Sequence, residues 1–296
     1  MQTETLFLTA ASPSSLTAAR LMIESLRSFG GRLATAPVWV FSTRPEALGG
    51  LESGLTRLLP LDPPASTPCL FAEKVAACAR AEALAPEGTG ALVWIDPACL
   101  VVQEPGLFAL DSASDAALRP VHIRNVGLPP GQPLDAFWGG IYAAAGIQDV
   151  EATVTSFVDG QRLRAYFNTH AFAVNPALGL MQAWQELFTR LAADRGFLAR
   201  ACQDEPHQVF LFQAVLSTLL AARIAPGRLR LLPPVYNYPY NLHSRIPPAL
   251  RAEALNDLVC FPYEERSIQP GQLSDVQVRE PLRTWLLERL PPAGGE

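Results

Sequence analysis

The run "ALVWIDPACLVV", residues 91–102, places a single carboxylate, Asp96, directly after a continuous apolar stretch. Such a stretch fits a central strand that is covered on both faces. Ligands of open α/β sheets bind at the carboxyl ends of the strands. Asp96 is therefore a candidate for binding a metal ion or a phosphate group. A turn carboxylate ahead of Pro97 explains the same residues equally well.

The elements that precede Asp96 predict a parallel sheet. "TLFLTA", residues 5–10, is typical of a buried strand, and "PVWVFST", residues 37–43, predicts the next strand. The segment between them has apolar residues at helical spacing, namely Leu16, Ala19, Ile23 and Leu26. A β-α-β opening implies parallel strands joined by a right-handed crossover.

A second helix leads to the strand that ends at Asp96. Thr67 is a predicted cap, Pro68 suits a first turn, and residues 69–84 continue as a helix. Since no linker rich in Gly, Ser or Pro divides the chain, we expect one α/β domain over residues 1–296 with a frayed tail at 288–296.

Further polar side chains follow in "AYFNTHAFAVNP", residues 165–176, and at the start of a later helix. Asn168 and His170 share one face of a predicted strand, either as ligand-binding groups or as a buried polar pair bonded to the backbone. Asp204 is a predicted helix cap, and Glu205 and Gln208 are candidate functional residues of the same turn.

Aromatic and amide side chains are concentrated in "YNYPYNLH", residues 236–243, which contains Tyr236, Asn237 and His243. Such side chains stack on sugar rings and bond their hydroxyls, although a packed loop has the same composition. Trp138, beside Gly139, is either a platform for a sugar or a core residue.

Charge and hydropathy exclude two classes of partner. The formal net charge is -5 without clusters of Lys or Arg, which argues against nucleic-acid binding. The longest apolar stretch is interrupted by Gln213, Ser217 and Thr218, so no transmembrane segment is predicted. A secretory signal requires a positively charged segment ahead of its apolar run, and no Lys or Arg precedes the first apolar run of this chain. We expect a soluble, cytoplasmic protein.

Four segments together resemble a known family. "FLTAASPSSLTAARLMIESLRSFG", "KVAACARAEALAPEGTGALVWIDPACLVVQEP", "YFNTHAFAVNP" and "DEPHQVFLFQAVL" occur in this order. Their order and spacing are similar to the nucleotide-sugar-dependent glycosyltransferases of GT-A fold, especially the retaining family that includes glycogenin. The resemblance covers nearly the whole chain. It implies a Rossmann-like, mostly parallel central sheet with helices on both faces.

The resemblance also implies a chemistry. Members of the family use a nucleoside-diphosphate sugar as donor, transfer the sugar with retention, and bind a divalent cation, manganese or magnesium, between the two acids of a DxD motif. The cation stabilises the negative charge that develops on the departing diphosphate. The acceptor is not specified by the resemblance.

The DxD motif is degenerate in this chain. The positions read Asp96, Pro97 and Ala98, so the second acid is replaced by a methyl group. Cys260 stands near the position of the histidine that is the family's third ligand, and a thiolate suits zinc better than manganese or magnesium.

Three interpretations of the degenerate motif remain open. In the first, Lys74, Arg119, Arg124 or the helix N-terminus after the first strand compensates the diphosphate charge. In the second, Asp96 holds a metal together with other acids such as Asp111 or Asp115. In the third, the fold persists without the chemistry.

The resemblance assigns candidate residues to three parts of the site. Donor-binding candidates are Thr9, Ala10, Lys74, Asp96 and Ala98, with Asp96 also the candidate metal ligand. Candidates beside the transferred sugar, and thus catalytic, are Asn168, Glu205 and Gln208. Acceptor-binding candidates are Trp138, Gly139, Tyr236, Asn237 and His243.

Two other functions are compatible with the sequence. The missing second acid favours a non-catalytic nucleotide-binding, sugar-binding or structural protein built on the same fold. A nucleotidyltransferase that makes nucleotide sugars is disfavoured, because no Gly-rich phosphate loop follows the first strand.

Overall fold

The computed structural model describes residues 4–62, 70–150, 152–225, 227–263 and 276–290. The chain opens with β1 (Glu4–Ala10), α1 (Leu16–Phe29) and β2 (Val38–Ser42), and β3 (Thr56–Pro60) follows. Both β1 and β3 pair with β2 in parallel, which confirms the predicted β-α-β opening.

The strand that carries Asp96 is β4 (Thr89–Ile95), and α2 (Ala72–Leu84) precedes it. The predicted cap and first turn, Thr67 and Pro68, lie outside the described residues. α2 begins after Phe71, which has a left-handed backbone with φ 66° and whose ring stacks on Phe212 at 4.4 Å.

Seven strands form the central sheet, in the order β10-β6-β9-β4-β1-β2-β3. The strands not yet introduced are β6 (Ala116–Pro120), β9 (Phe167–Val174) and β10 (Leu229–Leu231). β9 is antiparallel to β4 and β6, whereas every other pairing in this sheet is parallel. The carboxyl ends of β1, β4 and β6 therefore lie at one edge, beside the amino end of β9.

Apolar side chains cover both faces of the sheet, since alternate residues of a strand point to opposite sides. On one face, Leu8 and Trp94 belong to a core that includes residues of α2, of α4 (Leu180–Ala193) and of α6 (Glu205–Arg223). On the other face, Phe7 and Val93 pack with Met22 of α1. The predicted mostly parallel sheet with helices on both faces is confirmed.

Smaller elements complete the described chain. α3 (Ala136–Ala145) packs on α6, and α5 (Arg195–Ala201) contacts α3 and α4. Two short ladders pair β5 (Cys99–Val101) with β11 (Cys260–Pro262) and β7 (Thr153–Thr155) with β8 (Arg162–Arg164). No helix in the described ranges is long and apolar enough to cross a membrane.

The final helix, α7 (Leu282–Arg289), packs on the first helix of the chain. The Trp285 indole contacts the Phe29 ring edge to face, with centroids 5.5 Å apart, and its Nε1 donates to Ser28 Oγ at 2.9 Å. Arg289 forms an ion pair with Glu24 at 2.6 Å. α7 includes positions 288 and 289 of the predicted tail, and residues 291–296 lie outside the described residues.

Candidate functional site

Asp96 lies directly after β4, at the carboxyl edge of the sheet, as the apolar run predicts. Its backbone N–H donates to the His170 carbonyl of β9 at 2.8 Å, which fixes the turn between the two strands. Leu8 pairs with Trp94 across β1 and β4, so the donor-binding candidates Thr9 and Ala10 lie at this same edge. Thr9 is fully buried, whereas Ala10 is half-buried.

Three side chains donate hydrogen bonds to the Asp96 carboxylate. Lys74 Nζ and Trp94 Nε1 each lie 2.7 Å from Oδ1, and His170 Nδ1 lies 2.7 Å from Oδ2. Lys74, Trp94, Asp96 and His170 are called the Asp96 cluster below. Burial alone would raise the pKa of the Asp96 carboxyl, but the Lys74 ammonium and the His170 hydrogen bond outweigh it and lower the pKa to about 2.

Lys74 is not a solvated surface lysine. Only 5% of its side chain is exposed, and its ammonium lies over the Trp94 ring at 5.0 Å and the Phe212 ring at 5.4 Å. Rings of this kind attract a desolvated ammonium. The charge of Lys74 is therefore directed to Asp96 and to two aromatic faces.

His170 is the member of the cluster that reaches solvent, with 44% of its side chain exposed. Because Asp96 accepts a hydrogen bond from Nδ1, the ring presents Nε2 on its other side. The parallel ring of His122 lies 6.4 Å away at an interplanar angle of 11°. Both His122 ring nitrogens are buried without a hydrogen-bond partner among the described residues. Burial, together with the charges of Arg119 and His170, lowers the pKa of His122 well below its usual value.

The residues at this edge do not fit a divalent cation. Both carboxylate oxygens of Asp96 already accept hydrogen bonds, and Ala98, two residues further on, offers only a methyl group. Cys260 is completely buried, and its sulfur accepts a hydrogen bond from the Asn237 backbone N–H at 3.4 Å. Within the described part of the chain, no three His, Cys, Asp or Glu side chains are grouped to hold a metal.

Asp111 and Asp115 cannot complete a metal site with Asp96. Both precede β6, which runs parallel to β4, so they lie at the amino edge of the sheet, opposite Asp96. Asp115 is bound bidentately by Arg228 at 2.5 and 2.6 Å, and Asp111 pairs with Arg230 at 2.6 Å. The interpretation in which these acids share a metal with Asp96 is therefore wrong.

The three candidates for contact with the transferred sugar lie in different surroundings. Asn168 is buried in β9, and its Oδ1 accepts from the His170 backbone N–H at 2.9 Å, so it fixes the backbone that carries His170. Glu205 is exposed at the start of α6, where Asp204 caps the helix as predicted. Gln208 is also exposed, and its Nε2 donates to the Cys202 carbonyl at 3.0 Å. The part of α6 that contacts the Asp96 cluster is Phe212, more than one turn further on.

Trp138 and Gly139 lie in α3. Trp138 is fully buried, with its Nε1 bonded to the Val126 carbonyl and its ring against Tyr142 and Tyr166. The indole is thus a core side chain without a face for a sugar in this structure. Gly139 has room for a side chain, whereas a Cβ on Gly140 would lie 2.6 Å from the Phe197 ring.

The predicted acceptor segment, residues 236–243, is bonded into the protein. Tyr236 Oη accepts from the Leu107 N–H at 3.0 Å. Asn237 has a left-handed backbone with φ 47°, and its amide donates to the Ala171 carbonyl at 2.6 Å. His243 Nδ1 lies 2.8 Å from Tyr238 Oη. These contacts explain the unusual composition of the segment as packing against the sheet, and an acceptor role stays a prediction.

Sequence reasoning missed several parts of the site. Trp94 precedes Asp96 by two residues, so the period of a strand places both on one face, and this signal was sufficient to find their contact. Phe212 and His122 carry no such signal, because only the docking of α6 and of the chain after β6 brings them near the cluster.

Comparison of the sequence with protein-family models and with curated proteins finds no match. Among solved structures, the chain is similar to galactosyltransferase LgtC, described in complex with donor and acceptor sugar analogs. The similarity covers 98% of this chain and 97% of that chain, with a TM-score of 0.55 and 12% sequence identity. An identity this low shows the fold alone. The chain therefore has the GT-A fold of glycosyltransferases, while the narrower likeness to the glycogenin family stays a prediction.

Proposed function

We propose that the protein binds a nucleoside-diphosphate sugar at the carboxyl edge of its sheet and transfers the sugar to an acceptor hydroxyl without a divalent cation. The observation that carries the proposal is the Asp96 cluster. Both oxygens of the Asp96 carboxylate accept hydrogen bonds, and one of these bonds fixes the solvent-exposed imidazole of His170. Ligands of α/β sheets bind at such an edge.

The charge balance of the cluster supports binding of an anion. Lys74 neutralises Asp96, so the carboxylate does not repel the diphosphate of a donor. His170 then supplies the group that faces the ligand. A ring that carries protons on both nitrogens can donate from Nε2 to a phosphate oxygen while Nδ1 donates to Asp96.

The proposed reaction forms one bond and breaks another. The acceptor oxygen bonds to the anomeric carbon, the bond from that carbon to the donor phosphate oxygen breaks, and the diphosphate leaves with the electron pair. The acceptor proton passes to the leaving diphosphate. A hydrogen bond from His170 to that diphosphate offsets the charge that develops on it.

The other predicted residues have supporting roles in this proposal. Asn168 positions His170 through the backbone, and Ala10 lies at the donor edge. Glu205 and Gln208 contact the transferred sugar in the proposal, and their exposed side chains leave them available to a ligand. Retention of stereochemistry rests on the family resemblance.

The test is the melting temperature of the purified protein with UDP-, GDP- and TDP-sugars, in EDTA and in manganese. A ligand that binds the native state raises the melting temperature. We expect one donor to produce the same shift in both conditions, and we expect His170→Gln to abolish it. Arg32→Gln is the control, because Arg32 forms an exposed ion pair with Glu104 at 2.8 Å and belongs to none of the candidate groups of the site.

Each outcome has a definite meaning. A shift in melting temperature that requires manganese would contradict donor binding without a divalent cation. No shift with any donor would refute donor binding and favour the non-catalytic scaffold. A shift that persists in the His170 variant would remove His170 from the site. Transfer itself is then measured by release of nucleoside diphosphate in the presence of candidate acceptors.

A further inference from the structure

Arg119, the fourth residue of β6, is a buried cation without a carboxylate partner. Three Lys or Arg side chains are buried in the described part of the chain, and two of them pair with acids: Lys74 with Asp96 and Arg164 with Asp149. Arg119 is 98% buried, with 2% relative exposure, and forms no ion pair with a described residue.

The guanidinium of Arg119 is only partly satisfied. Nη1 donates to the carbonyls of Pro234 and Tyr236, each at 3.0 Å, and the Phe157 ring lies 4.5 Å from Cζ. Nε is buried and has no hydrogen-bond partner among the described residues. Burial lowers the pKa of Arg119 to about 10, so the side chain stays charged at neutral pH. A buried charge without a counterion is strongly unfavourable unless a ligand supplies one.

A cavity of about 520 Å³ adjoins Arg119. This volume is in the range of small-molecule sites, which combine apolar walls with a few polar groups. The wall includes Phe157, the hydroxyl-bearing residue Thr155, and the apolar residues Leu232 and Leu250. Ser156 and Asp159 also line it, and the Ser156 hydroxyl donates to the Asp159 carboxylate. An aromatic ring beside hydroxyl groups and a fixed guanidinium suits a ligand that has both a sugar-like body and an anionic group.

The cavity is connected to the Asp96 cluster through hydrogen-bonded backbone. The N–H groups of Phe157 and Val158 donate to the carbonyls of Val121 and His122 at 3.2 and 2.7 Å. The His122 ring in turn stacks on His170 of the cluster. Arg119 itself pairs with Asn168 in the β6–β9 ladder. A molecule in the cavity would therefore lie beside the proposed donor site and not within it.

We infer that the cavity binds the acceptor, and that the acceptor is a sugar carrying a phosphate or carboxylate group, which Arg119 binds. The role of this ligand as acceptor rests on the proposed function, whereas anion binding at Arg119 is independent of it. Planar guanidinium groups bind carboxylates and phosphates through paired hydrogen bonds. The hydroxyl that receives the sugar would belong to the part of the molecule nearer His170.

The experiment measures binding of glucose 6-phosphate, glucuronate and neutral glucose by calorimetry, without any nucleotide sugar. We expect at least one anionic sugar to bind roughly tenfold or more tightly than glucose, because the neutral sugar leaves the guanidinium unpaired. The phosphate and carboxylate probes distinguish the two sources of the anion. Arg119→Met is expected to abolish this preference.

A second set of variants does not depend on the folding of the Arg119 variant. Leu250 lines the cavity and is 52% exposed. Leu250→Glu is expected to weaken binding of the anionic sugar, and Leu250→Lys to strengthen it. Leu178→Glu, at an exposed residue that does not line this cavity, is the control. Equal binding of glucose and both anionic sugars, or binding that ignores the charge at 250, would overturn the inference.

The same variants separate this inference from the proposed function. If no nucleotide sugar binds but anionic sugars bind and respond to the charge at 250, the donor proposal fails and the anion site stands. If the Leu250 variants change the affinity for the nucleotide sugar while the anionic sugars do not bind, Arg119 belongs to the donor site and the acceptor inference is refuted.

Discussion

Replacing Lys74 with methionine tests whether Lys74 and Asp96 form a strongly coupled buried ion pair, as their geometry indicates. The 2.7 Å contact is formed by an ammonium that is 5% exposed and a carboxylate that is 19% exposed. Methionine keeps an apolar chain between the Trp94 and Phe212 rings, so the change removes the charge with little loss of packing. The matching change is Asp96→Asn, which leaves Lys74 without a counterion.

The expected costs follow from what each variant leaves behind. Asp96→Asn strands a buried ammonium between two rings, which costs about 3–5 kcal/mol. Lys74→Met costs about 1–3 kcal/mol, since Asp96 keeps its bonds from Trp94 and His170. The double variant carries no stranded charge and should be less destabilised than the sum of the two, by about 2–3 kcal/mol.

Urea unfolding at pH 7 of the four proteins measures this coupling energy, provided that the m-values agree. The exposed pair Arg32–Glu104, at 2.8 Å with 77% and 33% side-chain exposure, is the control. The cycle of Arg32→Met and Glu104→Gln should give a coupling energy below about 1 kcal/mol. If the effects of the Lys74 and Asp96 variants were also additive within that limit, the buried ion pair would be no more strongly coupled than the exposed one. Asp96 would then be available to a metal ion, contrary to the proposal.

Three further predictions concern the metal, the pH and α3. Manganese at millimolar concentration should leave the melting temperature of the protein without donor unchanged, because the Asp96 oxygens are committed; a rise that EDTA reverses would contradict this. The folded-state pKa of Asp96 lies below its unfolded value, so its contribution to stability is present above about pH 4 and is lost as the pH falls towards 2. The stability difference between wild type and Asp96→Asn should therefore shrink by on the order of 2 kcal/mol between pH 5 and pH 2, and a difference independent of pH would refute the assignment. Gly140→Ala should destabilise the protein by about 1–3 kcal/mol, because the new Cβ meets the Phe197 ring at 2.6 Å. Gly139→Ala, with only a 3.7 Å contact, should be neutral or stabilising by up to about 1 kcal/mol in the same unfolding assay.

The fold could be predicted further than the site because its signals are local. The apolar run of residues 91–95 and the helical spacing of Leu16, Ala19, Ile23 and Leu26 each specify one element without reference to the rest of the chain. The order of elements then limits the topology. The position of Asp96 at the carboxyl edge follows from the same reasoning.

The contacts of the site depend on tertiary docking, which periodicity does not encode. Lys74 lies 22 residues before Asp96, and only the packing of α2 on the sheet turns its ammonium towards the carboxylate. In the sequence the same lysine is compatible with a solvated helix face. Trp138 illustrates the reverse case, since a tryptophan beside glycines resembles an exposed platform until its ring is enclosed by Tyr142 and Tyr166.

The packing of α7 on α1 has a consequence for the order in which the molecule can assemble. Ser28 and Trp285, which share a hydrogen bond, are 257 residues apart, so this contact closes a loop that spans nearly the whole described chain. Contacts of such long separation form late. During synthesis the β1–α1–β2 unit is complete early, yet Phe29 of α1 lacks its contact with the Trp285 ring until α7 has been made. We therefore expect an interval in which nascent chains expose an apolar helix face and depend on chaperones to avoid association.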